Sequence, residues 1–242
     1  MIATRLLLLL TILFSFSLQA KTLNIVAGVN KPPYVFVQNG KPAGFEIELV
    51  QEVVKLMGME ANFYLAPFAR SIRLLENEHY DAVMTASARM PLINGIFSKP
   101  YISYQNVAIS LKSNKLKINQ ISDLANYSMA GFQMASKVLG KPFNAASLSS
   151  PYYTELAEQH RQLIMLQQKR VEVLIMDVNI FNYFRNEQFP KTDINSVFPI
   201  SKYSMAFKNG AYPVRFDRAM DQFRKTKAYL KLVEKYQMQH VL

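Results

Sequence analysis

The chain of 242 residues contains no cysteine. It can therefore form no disulfide, and no amino-terminal cysteine is available for lipid modification. Stability has to come from the burial of apolar side chains, and 50% of the residues are hydrophobic, which is enough for a substantial core. The length predicts either one large domain or two small ones.

The motifs of common catalytic and metal sites are also absent from the sequence. The three histidines, His79, His160 and His240, are far apart and lack the spacing of metal ligands. There is no glycine-rich phosphate loop, no nucleophile elbow and no paired cysteine and histidine. Glu46 and Glu48 open a predicted helix and are interpreted as surface residues that the helix dipole favours. The sequence therefore predicts no metal, no cofactor and no enzymatic activity.

The chain is strongly basic, with a formal net charge of +11. Such a balance is compatible with nucleic acid, anionic lipid or an acidic ligand as partner. The lysines are spread along the sequence without forming a long block. We therefore interpret them as mostly solvated surface residues, with a weak preference for acidic partners and no nucleic acid partner.

Residues 1–20 have the pattern of a secretory signal peptide. Arg5 supplies a positive start, residues 6–16 form an apolar run, and residues 17–20 form a cleavage region. A retained anchor is the alternative, but the apolar run is short for a membrane span, which needs about 20 residues. We expect export with cleavage after Ala20, and no other segment is long and apolar enough to cross a membrane.

Strand and helix patterns alternate in the next part of the chain. An apolar, β-branched run over 23–27 predicts a buried strand, and apolar residues at helical spacing follow over 45–57. A strand over 62–65, a helix over 67–78 and a strand over 80–84 continue the alternation. This order predicts a parallel sheet with helices on its faces.

The middle of the chain repeats this order. A strand over 127–130, a helix over 159–168 and a strand over 171–176 predict a second α/β unit. The inner side of the predicted helix over 159–168 consists of Leu163, Ile164 and Leu166. Two α/β units joined by extended strands would enclose a cleft that can open and close.

The strand that ends near Met84 runs directly into small hydroxyl residues and one arginine, namely Thr85, Ser87 and Arg89. Ligands of open α/β sheets bind beyond the carboxyl ends of the strands, and a guanidinium group binds a carboxylate through two hydrogen bonds. These residues are therefore predicted to hold a small anion, most simply a carboxylate. The alternatives are a surface ion pair for Arg89 and local backbone hydrogen bonds for the two hydroxyls.

Four further residues are candidates for the cleft. Asp177 ends a predicted strand, where it either contacts a ligand or caps the following helix. Tyr34 and Phe36 lie in a loop by the cleft, where aromatic rings supply rigid contact area, and core packing is their alternative role. Arg70 opens a helix and either points into the cleft or lies on a solvated face.

The order of several short motifs resembles one protein family, the bacterial extracellular solute-binding proteins of family 3. The motifs are Pro32-Pro33-Tyr34, residues 40–49, Asp81-Ala82-Val83-Met84-Thr85, Phe97-Ser98-Lys99-Pro100-Tyr101, Asp123-Leu124, residues 170–177 and Tyr203-Ser204-Met205-Ala206-Phe207. The resemblance implies an α/β fold of two Rossmann-like lobes joined by two crossover strands, similar to type II periplasmic binding proteins. It places residues 21–107 plus 200–242 in lobe 1 and residues 108–199 in lobe 2.

The resemblance also implies roles for individual residues. Thr85 and Ser87 match the hydroxyl positions that hold a ligand carboxylate, and Arg89 is the arginine available there, although the usual turn before that arginine is missing. Asp177 matches the acidic residue that pairs with a ligand ammonium. Ser136 falls where the second lobe offers hydroxyl and backbone N–H groups to a carboxylate, at a helix amino terminus that favours an anion.

One position departs from the family pattern. Lys31 stands where many members carry an aromatic residue that stacks on the ligand. Tyr34 and Phe36 can still supply an aromatic wall, and Phe68 or Tyr104 can join them.

The function that the resemblance implies is capture of a small polar or zwitterionic solute. The chain would be a monomer in the periplasm of a Gram-negative bacterium and would deliver the solute to an inner-membrane permease powered by ATP. One alternative is a receptor whose loaded form docks on a sensor protein. The other, less favoured, is a dehydratase-like enzyme on the same scaffold.

Overall fold

The computed structural model of the protein describes residues 21–71, 73–87 and 95–242. The predicted signal peptide, residues 1–20, lies outside these ranges, and so does the predicted ligand residue Arg89. Within the described ranges, every helix is too short or too polar to cross a membrane.

Strands and helices alternate along most of the described chain. The strands are β1 (Lys21–Gly28), β2 (Phe36–Gln38), β3 (Lys41–Ala43), β4 (Met59–Ala66), β5 (Ala82–Ala86), β6 (Ile96–Phe97), β7 (Ile102–Tyr104), β8 (Asn106–Leu111), β9 (Met129–Phe132), β10 (Tyr153–Leu156), β11 (Val173–Asp177), β12 (Thr192–Asn195) and β13 (Ser201–Phe207). The α-helices are α1 (Phe45–Leu56), α2 (Phe68–Ser71), α3 (Ala135–Val138), α4 (Lys141–Ser149), α5 (His160–Gln167), α6 (Val178–Phe184), α7 (Tyr212–Phe223) and α8 (Lys227–Lys235).

The strands form two large sheets and one small hairpin. The first sheet has the order β4-β1-β5-β13-β6, with β7 paired to β13, and β1 is parallel to both β4 and β5. The second sheet has the order β10-β9-β11-β8-β12, and β9 is parallel to both β10 and β11. The hairpin pairs β2 with β3. Two separate sheets with parallel cores confirm the predicted α/β architecture.

The chain passes from one sheet to the other twice. Strand β7 of the first sheet ends at Tyr104, and β8 of the second begins at Asn106. Strand β12 of the second sheet ends at Asn195, and β13 of the first begins at Ser201. The predicted limits of the two lobes stay a proposal, which these two passages support.

Helix α1 forms because its apolar residues recur at helical spacing. Phe45, Leu49, Val50 and Val53 are all buried, and together they pack one side of the helix into the core of the first sheet. Gly58 follows the helix with a φ of +72°, a left-handed conformation that glycine adopts readily. The predicted helix over 45–57 is thus confirmed.

The predicted helix over 67–78 is wrong in its length. The α-helix α2 ends at Ser71, and a 3-10 turn over Leu74–Glu76 follows. The backbone bonds there join residues three apart, as in the bond from Arg73 N to Arg70 O, which is the pattern of a 3-10 helix. The proposed inner position of Ile164 is also wrong, because Ile164 is 44% exposed.

Candidate functional site

A cavity of about 260 Å³ lies at the carboxyl ends of strands from both sheets. It is lined by the segments that follow β1, β4 and β10 and by the last residues of β5, β9 and β11. Ligands of open α/β sheets bind at such edges, so this cavity is the candidate site. The lining residues that decide its chemistry are Lys31, Phe68, Thr85, Tyr104, Gln159 and Asp177.

A buried lysine and a buried glutamate form the wall on the side of the first sheet. Lys31 Nζ donates hydrogen bonds to Glu46 Oε2 at 3.1 Å, Thr85 Oγ1 at 2.6 Å and Tyr104 OH at 3.0 Å. These bonds use all three N–H groups of the ammonium. Glu46 accepts from Thr85 Oγ1 at 2.6 Å, from Tyr104 OH at 3.0 Å and from the hydroxyl of Tyr101.

The expectation that Glu46 is a surface residue is wrong. Its exposed fraction is 0%, and that of Lys31 is 6%. Backbone bonds from Phe45 N to Pro33 O at 2.8 Å and from Glu46 N to Tyr34 O at 3.0 Å seat the first turn of α1 on the Pro33–Tyr34 segment. The side chain of Glu46 consequently points inward to Lys31.

Lys31 is buried at the position where the sequence resemblance predicts an aromatic residue. Burial lowers the pKa of Lys31, and the Glu46 carboxylate opposes part of that shift. The ammonium also lies 5.3 Å from the ring centroid of Tyr104 and 5.9 Å from that of Phe68. Aromatic faces attract a cation at such distances, so the wall accommodates positive charge without opening to water.

Asp177 forms the opposite wall, at the end of β11. Its side chain caps α6, because Oδ1 accepts from the backbone N–H of Asn179 at 2.9 Å and of Ile180 at 3.2 Å. Oδ1 also accepts from Tyr34 OH at 3.1 Å, and Oδ2 accepts from Gln105 N at 2.8 Å. Asp177 thus caps the helix and also lines the cavity, so the predicted capping role is confirmed, whereas contact with a ligand stays a prediction.

The charge of Asp177 lacks a cationic partner among the described residues. Asp177 is 2% exposed, and burial raises its pKa to about 7, even though its four hydrogen bonds favour the ionised form. An arriving cation would pair with this carboxylate and favour its ionised state.

Tyr34 connects the two walls from behind the cavity. Its ring stacks on Tyr104 with 4.1 Å between ring centroids, and its hydroxyl donates to Asp177 on the side of the second sheet. Burial and the nearby Asp177 charge raise the pKa of the Tyr34 phenol well above its usual value. Asn179 Nδ2 donates to the Tyr34 hydroxyl at 2.8 Å. A second bond between the two sides runs from Ala69 N to Gln133 Oε1 at 3.2 Å.

Ser136 lies outside the residues that line the cavity, and it is bound to a carboxylate of the protein itself. Its N–H and its hydroxyl donate to Glu155 Oε1 at 2.8 Å and 2.7 Å. Met134 N and Tyr153 OH complete the surroundings of Glu155, at 2.7 Å and 2.8 Å. The predicted anion position at the start of α3 therefore already holds a carboxylate.

Of the remaining predicted site residues, some line the cavity and others lie elsewhere in the structure. Phe68 lines the cavity, whereas Phe36 is half-buried outside it, 6.0 Å from the ring of Tyr183. Arg70 is exposed and does not line the cavity. Ser87 lines a neighbouring cavity of about 270 Å³. The structure thus brings Phe68, Thr85 and Asp177 together, with Tyr34 directly behind them, and their assignment as ligand contacts stays a prediction.

Sequence reasoning missed four residues of this region. Glu46 was assigned to the surface, and Glu155, Gln159 and Asn179 were not singled out. Gln159 lines the cavity, and its Oε1 atom is buried without a hydrogen-bond partner among the described residues. Asn179 follows Asp177 by two residues, but its bonds to Gln239 N and O, at 2.8 Å and 3.0 Å, depend on contacts far apart in sequence.

The residues that the structure describes around the cavity form no cluster of metal ligands. Throughout residues 21–71, 73–87 and 95–242, no group of three or more histidine, cysteine, aspartate or glutamate side chains is placed to hold a metal ion. The described lining combines the Asp177 carboxylate with aromatic side chains, and such a combination of few polar groups with apolar surface suits an organic solute.

Comparisons with known proteins show which family and fold the chain shares. The chain is 23% identical over 233 residues to a probable histidine-binding protein of Campylobacter jejuni, covering 90% of this chain and 86% of the relative. It is 23% identical over 240 residues to an arginine-binding periplasmic protein of Mannheimia haemolytica, covering 88% and 97%. Its fold is similar to that of an ancestral arginine-binding protein bound to arginine, with a TM-score of 0.74, 23% identity and coverage of 90% and 99%. The family model of the bacterial extracellular solute-binding proteins, family 3, matches residues 23–239, and the chain belongs to that family.

Proposed function

We propose that the protein is a periplasmic solute-binding protein for an ABC importer, and that it encloses one small ammonium-bearing solute, an amino acid or a related amine. The solute would occupy the cavity between the two sheets, with its ammonium on Asp177. No catalytic step is part of the proposal. The importer would receive the solute when the two sides of the cavity separate.

The observation that carries the proposal is that the buried Asp177 carboxylate forms no ion pair within the described part of the chain. The positive charge of Lys31 is matched by Glu46 at 3.1 Å. Glu158, at the cavity edge, has Arg161 at 2.7 Å. Asp177 alone among these carboxylates has only neutral donors around it. A buried carboxylate is strongly stabilised by an opposite charge, so the cavity is suited to a cation.

Contacts between the two sides explain how a solute would favour closure. Tyr34 OH on one side reaches Asp177 on the other at 3.1 Å. A solute held by Asp177 and by the aromatic wall touches both sides only when they meet. Binding then shifts the population toward the closed form by the difference in contacts between the two forms.

Replacing Asp177 with asparagine should remove solute binding. We expect that at least one member of a panel of amino acids and amines raises the melting temperature of the wild-type protein, because a solute that binds only the folded state stabilises it. Loss of one partner of a desolvated charge pair costs about 2–5 kcal/mol. The affinity of Asp177→Asn for the same solute should therefore fall by a factor of about 30 or more.

The matched control for this experiment is Asp123→Asn. Asp123 also accepts bonds from backbone N–H groups, at 2.9 Å from Asn119 and 3.2 Å from Gln120, but it is half-buried in the 3-10 helix Ile121–Asn126, away from the cavity. Asp123→Asn should retain the thermal shift. A panel without any binder, or an Asp177→Asn variant that binds as well as Asp123→Asn, would contradict the proposal.

The affinity should depend on pH because Asp177 has to be ionised to pair with an ammonium. Its pKa is about 7 in the free protein, so below pH 7 binding must first release a proton. Affinity should fall by about tenfold per pH unit below 7 and level off above it. Tyr34, which faces Asp177, stays neutral throughout because its pKa is raised.

Titration calorimetry in buffers of different ionisation enthalpy measures the number of protons that are released when the solute binds. The release should approach one proton per solute near pH 6 and vanish near pH 8. An affinity that is constant from pH 5.5 to 8.5, with no proton released, would rule out Asp177 as the titrating partner of the solute.

A further inference from the structure

The segment of residues 238–242, which follows α8, forms hydrogen bonds to both sides of the cavity. On the side of the first sheet, the hydroxyl of Ser103 in β7 donates to His240 O. On the side of the second sheet, the backbone of Gln239 bonds to the side chain of Asn179 in the first turn of α6. The 238–242 segment is therefore a further link between the two sides.

The 238–242 segment is held in place by contacts of its own. Met238 is buried in the core, and Tyr229 OH in α8 donates to Leu242 O at 3.0 Å. Gln237 and His240 have φ values of +49° and +54°, a left-handed conformation that residues with a Cβ atom adopt rarely. Such conformations persist where the surrounding contacts determine them, so the path of the segment depends on its bonds.

The bonds to Gln239 fix the orientation of the Asn179 side chain, which is 3% exposed. Gln239 N donates to Asn179 Oδ1 at 2.8 Å, and Asn179 Nδ2 donates to Gln239 O at 3.0 Å. A backbone N–H can only donate and a carbonyl oxygen can only accept, so the amide of Asn179 has a single orientation here. The second N–H of its Nδ2 atom donates to Tyr34 OH at 2.8 Å.

The orientation of Asn179 decides what the Tyr34 hydroxyl does. A hydroxyl has one proton to donate. Because the Tyr34 oxygen accepts from Asn179, its proton is directed to Asp177 Oδ1 at 3.1 Å. Hydrogen bonds in such a chain strengthen one another. The backbone of Gln239 is therefore connected to the Asp177 carboxylate through two side chains.

We infer that Asn179 is a positioning residue of the solute site, which connects the 238–242 segment to Asp177 through Tyr34 and makes the segment part of the closed form. The inference rests on the proposed function, in which the solute ammonium binds Asp177. Asn179 does not belong to the described lining of the cavity, so it acts through Tyr34. A solute that favours the closed form then also favours the bonds between Asn179 and Gln239.

A double-mutant cycle on solute affinity tests the route through Tyr34. The probe is whichever of the common amino acids, putrescine and cadaverine has the lowest Kd for the wild-type protein. Asn179→Ala should raise this Kd about fivefold, the usual effect of losing one hydrogen bond. In the Tyr34→Phe background, the same substitution should raise it by less than about twofold, because the connecting hydroxyl is already absent. Equal effects in the two backgrounds would show that Asn179 does not act through Tyr34, and they would overturn the inference.

Asn62→Ala is the matched control for this cycle. Asn62 Nδ2 also donates to a tyrosine hydroxyl, that of Tyr64 at 3.0 Å, but Asn62 is exposed on β4 and does not belong to the described lining of the cavity. Asn62→Ala should leave the Kd of the probe unchanged. A rise as large as that in Asn179→Ala would contradict a specific role of Asn179.

Amide hydrogen exchange, read by mass spectrometry, tests the 238–242 segment in the wild-type protein without any substitution. A saturating concentration of the probe should slow exchange of the Gln239 amide about tenfold, since its N–H is bonded to Asn179 in the closed form. In Asn179→Ala, the probe should leave this exchange unchanged. A wild-type segment whose exchange does not respond to the probe would overturn the inference and leave the proposed function standing. A panel without any binder would instead count against the proposed function.

Discussion

Replacing Lys31 with methionine should lower the free energy of unfolding by about 3–5 kcal/mol, the usual effect of removing one partner of a buried ion pair. Glu46 is fully buried and would remain without its cation, held only by the hydroxyls of Thr85, Tyr101 and Tyr104. Methionine has a similar length and an apolar tip, so lost volume contributes little. Urea denaturation at pH 7.5 measures the change, provided that the slope with denaturant stays constant.

Two further variants isolate the buried charge as the cause. Lys235 pairs with Glu48 at 2.7 Å, but both side chains are partly exposed, at 56% and 34%. Lys235→Met should therefore change stability by at most about 1 kcal/mol. Adding Glu46→Gln to Lys31→Met should recover a large part of the loss, because no unpaired charge is then buried. Equal effects of Lys31→Met and Lys235→Met would contradict this account.

Replacing Gly44 with alanine should destabilise the protein by more than about 4 kcal/mol, or prevent folding. Gly44 has a φ of +123°, and an added Cβ would lie 2.2 Å from the carbonyl oxygen of Tyr34 and 2.6 Å from its carbonyl carbon. Both contacts are with backbone, so no side chain can rotate away. The clash would lift the start of α1 off the segment that carries Lys31 and Tyr34.

Gly40→Ala is the control for the backbone conformation alone. Gly40 also has a positive φ, +74°, but an added Cβ there would have no atom within 4 Å. Gly40→Ala should lower the free energy of unfolding by about 1–2 kcal/mol, which is the penalty of the left-handed conformation for a residue with a Cβ atom. Soluble yield and urea denaturation compare the two variants. Stabilities within about 1 kcal/mol of each other would show that the close approach of Gly44 to Tyr34 does not decide the fold.

The spacing of apolar residues was sufficient to predict helices and strands whose formation depends on one continuous segment of the chain. The spacing of Phe45, Leu49 and Val53 predicted α1 because burial of one helix face requires that period. The apolar run before Asp177 predicted a buried strand and placed the carboxylate at its end, where the cavity lies. The helix over 67–78 failed because bonds between residues three apart replace the α-helical bonds after Ser71.

These local patterns could not predict the hydrogen-bond and ion-pair partners of the charged and polar side chains. Glu46 matched the pattern of a surface glutamate in a first helical turn, yet it pairs with Lys31, Thr85 and the hydroxyls of Tyr101 and Tyr104, which lie 15 to 58 positions away in the chain. Ser136 matched an anion-binding position, and an anion does bind there, but it is Glu155. The sequence predicted where Glu46 and Ser136 lie in their helices, but it did not predict which groups they form hydrogen bonds with.

The sequence by itself determined the two α/β units, the family and the position of Thr85 and Asp177 at strand ends, because periodicity and strand order are properties of neighbouring residues. Only the tertiary structure decided which charges are already neutralised. Lys31 and Glu46 form an ion pair inside one wall, the Glu155 carboxylate occupies the start of α3, and Asp177 forms no ion pair within residues 21–71, 73–87 and 95–242. The physical reason is that a buried charge is stabilised by whichever opposite charge or hydrogen-bond donors the folded chain brings near it, and those contacts join residues that are distant in sequence.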